Sequence, residues 1–174
     1  MTSSGRGRPR DPARHRAVLD ATLEILVDRG YEQLTLTEVA TRAGVGRPLL
    51  YQWWGSKGAL VQEALFRPRT RATRALPTAS GFEATFTALV TEMVDLHSRP
   101  EYRAGLTGLI TDMIRDPALL EETEARFIGP ARDRYAAVLE LGRREGLVRG
   151  DVDSTLVLDT LRGAVWFGTM LDPD

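Results

Sequence analysis

Residues 46 to 57 read Gly-Arg-Pro-Leu-Leu-Tyr-Gln-Trp-Trp-Gly-Ser-Lys, and most of their side chains suit one chemistry, the gripping and reading of double-stranded DNA. The guanidinium fork of Arg47 matches the O6 and N7 acceptors of guanine, Gln52 can pair with adenine, and Leu49 can meet a thymine methyl. Tyr51 and Trp53 suit sugars and phosphates, which position a protein on the duplex without reading sequence. At helical spacing Leu50 and Trp54 lie one turn apart and face inward, leaving Arg47, Leu49, Tyr51, Gln52 and Trp53 outward. An outward Leu, Tyr and Trp need a partner, because such groups otherwise seek burial. Ser56 can cap a further helix whose free N–H groups attract phosphate, with Lys57 adding a full charge at the same spot.

These residues need elements to hold them. Thr35 is placed to cap a helix carrying Leu36, Val39, Ala40 and Ala43, with Glu38 set to reach back as in a capping box. Gly44 supplies a left-handed turn after that helix. Gly46 then serves as N-cap of the next, and Pro48 fits its first turn, where a missing N–H is harmless. Two short helices joined by a glycine turn form a helix-turn-helix, whose second helix enters the major groove. A third helix precedes them: Asp11-Pro12 starts it, Val18, Thr22, Ile25 and Leu26 form its stripe, and Gly30 closes it. His15 lies beside that stripe as a partly buried packing residue.

The stretch 35–60 resembles the DNA-binding signature of the TetR family of transcriptional regulators. The match rests on Val39-Ala40, Ala43-Gly44-Val45, Leu50-Tyr51, Trp54 and Ser56-Lys57 together, and covers about residues 11 to 66. Gly46 departs from it, since the family often has Ser there. The resemblance implies that Arg47, Leu49 and Gln52 approach bases, while Tyr51, Trp53 and Lys57 approach phosphates; Thr35, Pro48 and Ser56 complete the DNA-facing set. Arg6, Arg8 and Arg10 form an arm, residues 1–10, with no apolar residue for a core, expected to be disordered without a partner. The run Arg6-Gly7-Arg8-Pro9 is similar to minor-groove AT-hook peptides. It either enters an A·T-rich groove, where the potential is most negative, or touches phosphates without choosing sequence.

Charge supports a two-part chain. Residues 1–74 hold 13 Lys and Arg against 7 Asp and Glu, whereas residues 75–174 hold 10 against 17. A basic head joined to an acidic body suits a polyanion-binding head. With no Cys and only His15 and His97, thiolate and His-based metal centres are not expected, and no cofactor is implied. Asp112, Asp116, Glu121, Glu122 and Glu124 read as a solvated face rather than as catalytic groups. No apolar run is long enough for a membrane span and the N-terminus is not signal-like, so a cytoplasmic protein is expected.

The expected fold is all-α: an arm 1–10, a helix-turn-helix domain 11–55, and a helical regulatory and dimerisation domain 56–174, with helix 56–67 connecting the two. Arg67, Arg69, Arg71 and Arg74 make a solvated basic strip, and breaks are expected at Pro68, 76–81 and Gly129-Pro130. Phe86, Met93, Met113, Phe127 and Tyr135 are placed to line a pocket for a small apolar ligand. In the last helix the apolar surface is too wide for one core, so Val157, Leu161, Ala164, Val165 and Gly168 are assigned to a homodimer interface, completed by Tyr135, Val138 and Leu139. The family resemblance implies a dimeric repressor released from a palindromic operator by that ligand. A ligand-independent DNA-binding protein, or a helical enzyme or carrier, are the alternatives.

Overall fold

The computed structural model of the protein describes residues 11–67 and 80–171. The basic arm with Arg6, Arg8 and Arg10, together with Pro68, Arg69, Arg71 and Arg74, lies outside them. Among the described residues there are nine α-helices and no strand: α1 Pro12–Gln33, α2 Leu36–Arg42, α3 Arg47–Trp53, α4 Lys57–Phe66, α5 Gly81–His97, α6 Pro100–Arg115, α7 Pro117–Thr123, α8 Gly129–Arg144 and α9 Ser154–Leu171. No helix among them is long and apolar enough to cross a membrane.

Local chemistry sets most of the ends. The Asp11 carboxylate accepts the Ala13 and Arg14 N–H groups, and Asp116 does the same for Ala118 and Leu119. Gly30, at φ 76°, breaks the path of α1 and leaves Tyr31–Gln33 as a last turn. Gly44, at φ 65°, makes the turn between α2 and α3. Half of the expected capping box forms: Thr35 Oγ1 accepts the Glu38 N–H at 3.2 Å. The Glu38 carboxylate turns instead to Arg29 and Arg42, at 3.3 and 3.7 Å. The expected break at Gly129-Pro130 is also corrected. The chain runs from α7 through a π-helical turn, Glu124–Ile128, into α8, with the Gly129 N–H bonded to the Glu124 carbonyl. The wider turn absorbs the helical register, and Pro130 sits where its missing N–H costs little.

The helices share two apolar cores. The first joins Val18, Leu19, Ile25 and Leu26 of α1, Val39 of α2, Leu50 of α3 and Leu60, Val61 and Leu65 of α4 to Tyr102, Leu106, Leu109 and Met113 of α6 and Leu119 of α7. The second joins Leu89 and Met93 of α5, Tyr135 and Val138 of α8 and Leu158 of α9. Residues of α6 and α7 thus pack into the same core as α1–α4, across the expected 55/56 boundary. Tyr31 fastens that junction. Its ring is 4% exposed, its hydroxyl donates to the Asp112 carboxylate, and burial with that carboxylate raises the phenol pKa. Asp112 is thus tied to the head rather than standing on a solvated face.

Gly108 of α6 lets the Tyr31 ring lie directly on the helix backbone, and a Cβ at that position would overlap ring carbons. Gly108→Ala should therefore destabilise the fold by roughly 1–3 kcal/mol, the usual cost of forcing a packed core apart. Urea denaturation checks this, and an unchanged midpoint would show that the Tyr31 contact is slack.

Candidate nucleic-acid interface and ligand pocket

The recognition helix α3 starts at Gly46, whose backbone caps it without a side chain. Leu50 is fully buried, and Arg47, Pro48, Tyr51 and Gln52 are exposed. Arg47 Nη2 donates to the Tyr51 hydroxyl at 2.9 Å, and the guanidinium stands 5.3 Å from that ring's centre. The guanidinium thus rests on the aromatic one turn along the same face. Leu49 is half-buried.

Behind α3 an aromatic and acidic cluster fixes its angle. Trp54 stacks on His15 at 5.2 Å and donates its indole N–H to Glu63 Oε2 at 2.9 Å. His15 Nε2 lies 2.9 Å from the other oxygen of Glu63. Trp53 packs against both rings, 5.7 Å from His15 and 5.4 Å from Trp54, so it is half-buried rather than fully outward. Ser56 caps α4 by accepting the Ala59 N–H at 3.1 Å. Lys57, expected to approach phosphate, is half-buried in the free protein. Its ammonium donates to the Tyr31 carbonyl at 3.2 Å and lies 4.2 Å from that ring's centre, since the end of α1 offers a carbonyl and a π-face. Thr35 stays exposed at the start of α2.

Residues 18–64 match the family model for bacterial regulatory proteins of the tetR family, and residues 76–174 match a tetracyclin repressor-like C-terminal domain. This chain belongs to the TetR family. It is similar to the HTH-type transcriptional regulator YdeS of Bacillus subtilis (strain 168), at 29% identity over 173 residues, 98% of this chain and 85% of YdeS. It is also similar to the HTH-type transcriptional repressor KstR2 of Rhodococcus jostii (strain RHA1), at 30% identity over 162 residues, 88% of this chain and 76% of KstR2. Among solved structures it resembles the TetR family transcription regulator SCO0332, with a TM-score of 0.62 and 32% identity over 92% of this chain and 87% of that one. The protein is a helix-turn-helix transcriptional regulator.

In this TetR-family regulator the body holds a partly open pocket of about 130 Å³ between α4, α5, α6, the π-helical turn, α8 and α9. Of the expected lining residues, Met93, Phe127 and Tyr135 meet there. Met113 lines an adjoining recess. Phe86 does not line the pocket: it stacks on Phe82 at 5.5 Å and meets the edge of Tyr135. Sequence reasoning missed Phe66, which stacks on Phe127 at 5.0 Å and lies edge-on to Tyr102 at 5.8 Å. It also missed His97, Tyr102 and Arg162, which line the pocket and its recess alike. A one-turn stripe could place these residues on their own helices, but not relative to one another. Burial pushes the phenols of Tyr102 and Tyr135 up to about 12. Both therefore stay neutral donors, and Tyr135 gives its proton to the Leu89 carbonyl at 3.2 Å.

The expected dimer surface is redistributed by the same packing. Tyr135, Val138 and Leu139 are buried in the chain's own interior, so they are corrected from interface to core. Leu161 and Val165 are half-buried on the second core, and Val157 is half-buried. Ala164 and Gly168 are exposed, as are Leu156 at 67%, Thr160, Gly163 and Phe167 at 61%. Leu156, Thr160, Gly163 and Phe167 recur at helical spacing and form one open stripe opposite Leu158.

His97 is 5% exposed and its Nδ1 meets the Met93 carbonyl at 2.8 Å. Burial, and then the nearby Arg162 charge, lower its pKa below the ordinary 6.5. An unfolded chain takes up a proton there before the folded one does. The stability His97 contributes is therefore present above pH 6.5 and is lost as pH falls toward the folded value. Below pH 6.5 the stability difference between the wild type and His97→Gln should shift steadily against the wild type. Urea melts at pH 7.5 and 5.5 test this, and a pH-independent difference would mean that His97 titrates alike in both states.

Proposed function

We propose that the protein is a homodimeric repressor whose paired heads grip a palindromic operator and let go when a small, largely apolar molecule fills the body pocket. The observation that carries this reading is the span of α4. Ser56 at its start stands beside the recognition helix, and Phe66 at its end is part of the pocket wall. A ligand that displaces Phe66 acts on the same rigid rod that positions the head, so occupancy and head spacing are linked. Two heads are required because one short helix reads too few base pairs to find a genomic site. The open stripe of α9 supplies a surface for pairing them about a two-fold axis. Arg47, Leu49 and Gln52 read bases, and Tyr51, Trp53 and the start of α4 seat the phosphates. The similarity to KstR2, a repressor, favours repression over activation.

Gel-shift titration on the protein's own promoter DNA, at two salt concentrations, tests the DNA reading. Arg47→Ala should relax specificity at one base pair per half-site, with a loss of roughly 1–3 kcal/mol per contact. Equal losses on operator and random DNA would remove Arg47 from base reading. Leu156→Glu with Phe167→Glu should give helical monomers that no longer bind operator, because both charges would be buried unpaired at a two-fold contact. Light scattering that still shows dimers would place the subunit contact elsewhere.

A further inference from the structure

The charges lining the pocket are unbalanced. Glu92 and Arg134 balance each other's charge in a two-pronged pair, at 3.0 and 2.7 Å, with only Arg134 Nε left without a partner. Arg162 of α9 has no carboxylate or hydrogen-bond partner of that kind among the described residues, yet it stands where the pocket meets its recess. Asp159, one turn earlier on the same helix, lines only the recess, and its charge acts on Arg132. Glu124, the other acid near that end of the pocket, is taken by Arg132 at 2.6 Å.

Two further groups converge on the guanidinium. His97 and Tyr102 sit edge-to-face at 4.8 Å, and both feel the Arg162 charge. His97 lines both cavities while its Nδ1 stays at the Met93 carbonyl. Tyr102 lines both cavities, and its phenol is protonated at any physiological pH. A half-buried guanidinium without a counter-ion is electrostatically costly, and a compact oxyanion is the group that relieves it, by bidentate charge-assisted hydrogen bonds. The rest of the wall, with Phe66, Leu89, Met93, Leu96 and Phe127, is apolar.

We infer that the effector is an amphipathic organic anion, whose carboxylate pairs with Arg162 beside Tyr102 and whose apolar body fills the space between Phe66, Met93 and Phe127. This rests on the ligand-release reading of the pocket and adds the chemical class of the ligand. The polar group lies toward α9 and the apolar body toward α4 and α5. A neutral hydrocarbon of the same shape would fill the pocket but leave the guanidinium uncompensated.

The test uses the full chain and two matched probe sets: 4-phenylbutyrate, 4-phenylbutanol and 4-phenylbutylamine, and decanoate, decanol and decylamine, each titrated by calorimetry. Each acid should bind roughly tenfold or more tightly than its alcohol, and the amine most weakly, as expected for a charge-assisted contact over a neutral one. Arg162→Met should abolish the preference for acid over alcohol while leaving the apo melting temperature and operator binding in place. Arg162→Lys should restore part of it. Met93→Trp, which fills the pocket, should remove binding of acid and alcohol alike. Equal binding of acid and alcohol by the wild type would overturn the inference and leave the pocket as a neutral-ligand site. Acid preference that survives Arg162→Met, or acid binding that survives Met93→Trp, would also overturn it, by placing the anion elsewhere. If no acid or alcohol binds at millimolar concentration, the ligand reading and the inference fail together.

Discussion

The burial of α4 is the constraint on which the other parts depend. Gly58, Leu60, Val61, Gln62, Ala64 and Leu65 are all buried, so the helix is enclosed by α1, α6 and α7 on most of its circumference. Gly58 is small because a Cβ there would come within 2.6 Å of Leu119 Cδ2. Gln62 crosses to Thr123 with a hydrogen bond of 2.8 Å. Leu60, Val61 and Leu65 contribute about 1.5–3 kcal/mol each, so peeling α4 away would cost a large share of the roughly 5–15 kcal/mol that holds a domain folded. The helix can tilt or slide with its neighbours, but it cannot leave them. On the proposed reading, a ligand's push at Phe66 would reach the head as a rigid displacement.

A second, polar route runs alongside. Glu63 accepts the Trp54 indole and neighbours His15, which sets the angle of α3 against α1 and α4. The same carboxylate lies 4.0 Å from Arg126, in the π-helical turn that also carries Phe127 and Ile128 into the pocket wall. Arg126 is held more closely by Glu122, at 2.6 Å, so its link to Glu63 is the weaker and more exchangeable one. On the proposed reading, the apolar packing of Phe66 on Phe127 would carry a displacement, and Glu63 would register the position of the turn.

Much of this was legible from local patterns. The Asp-Pro starts, Gly30, Gly44 and the inward pair Leu50 and Trp54 follow from rules spanning one or two turns, and the structure follows them. What was hidden depends on residues far apart in the chain. Glu38 had a reachable backbone N–H but found two arginines, one of them on α1. Nothing in the neighbourhood of Lys57 announced that its ammonium would also meet the Tyr31 carbonyl, 26 residues earlier. Asp112 looked solvated until Tyr31 arrived from 81 residues away. Tyr135, Val138 and Leu139 were read as an outer surface because a stripe shows that a face is covered, not which element covers it; here α5 and α9 do.

The last helix shows why that ambiguity bears on function. Its apolar surface is too wide for one contact, and the structure divides it. Leu158, Leu161 and Val165 turn to the second core, Arg162 turns to the pocket, and Leu156, Gly163 and Phe167 turn to solvent. Gly163 has nothing near its would-be Cβ, so its smallness is not demanded by this chain's own packing. A Gly in a helix interior costs about 1 kcal/mol relative to Ala, and here the open stripe is where a closely approaching helix would offset it. A helix that walls the pocket on one side and faces outward on the other cannot shift for a ligand without moving the outward stripe. On the repressor reading proposed above, subunit pairing and ligand seating would be coupled through this one element, and α4 would couple the pocket to the head through another.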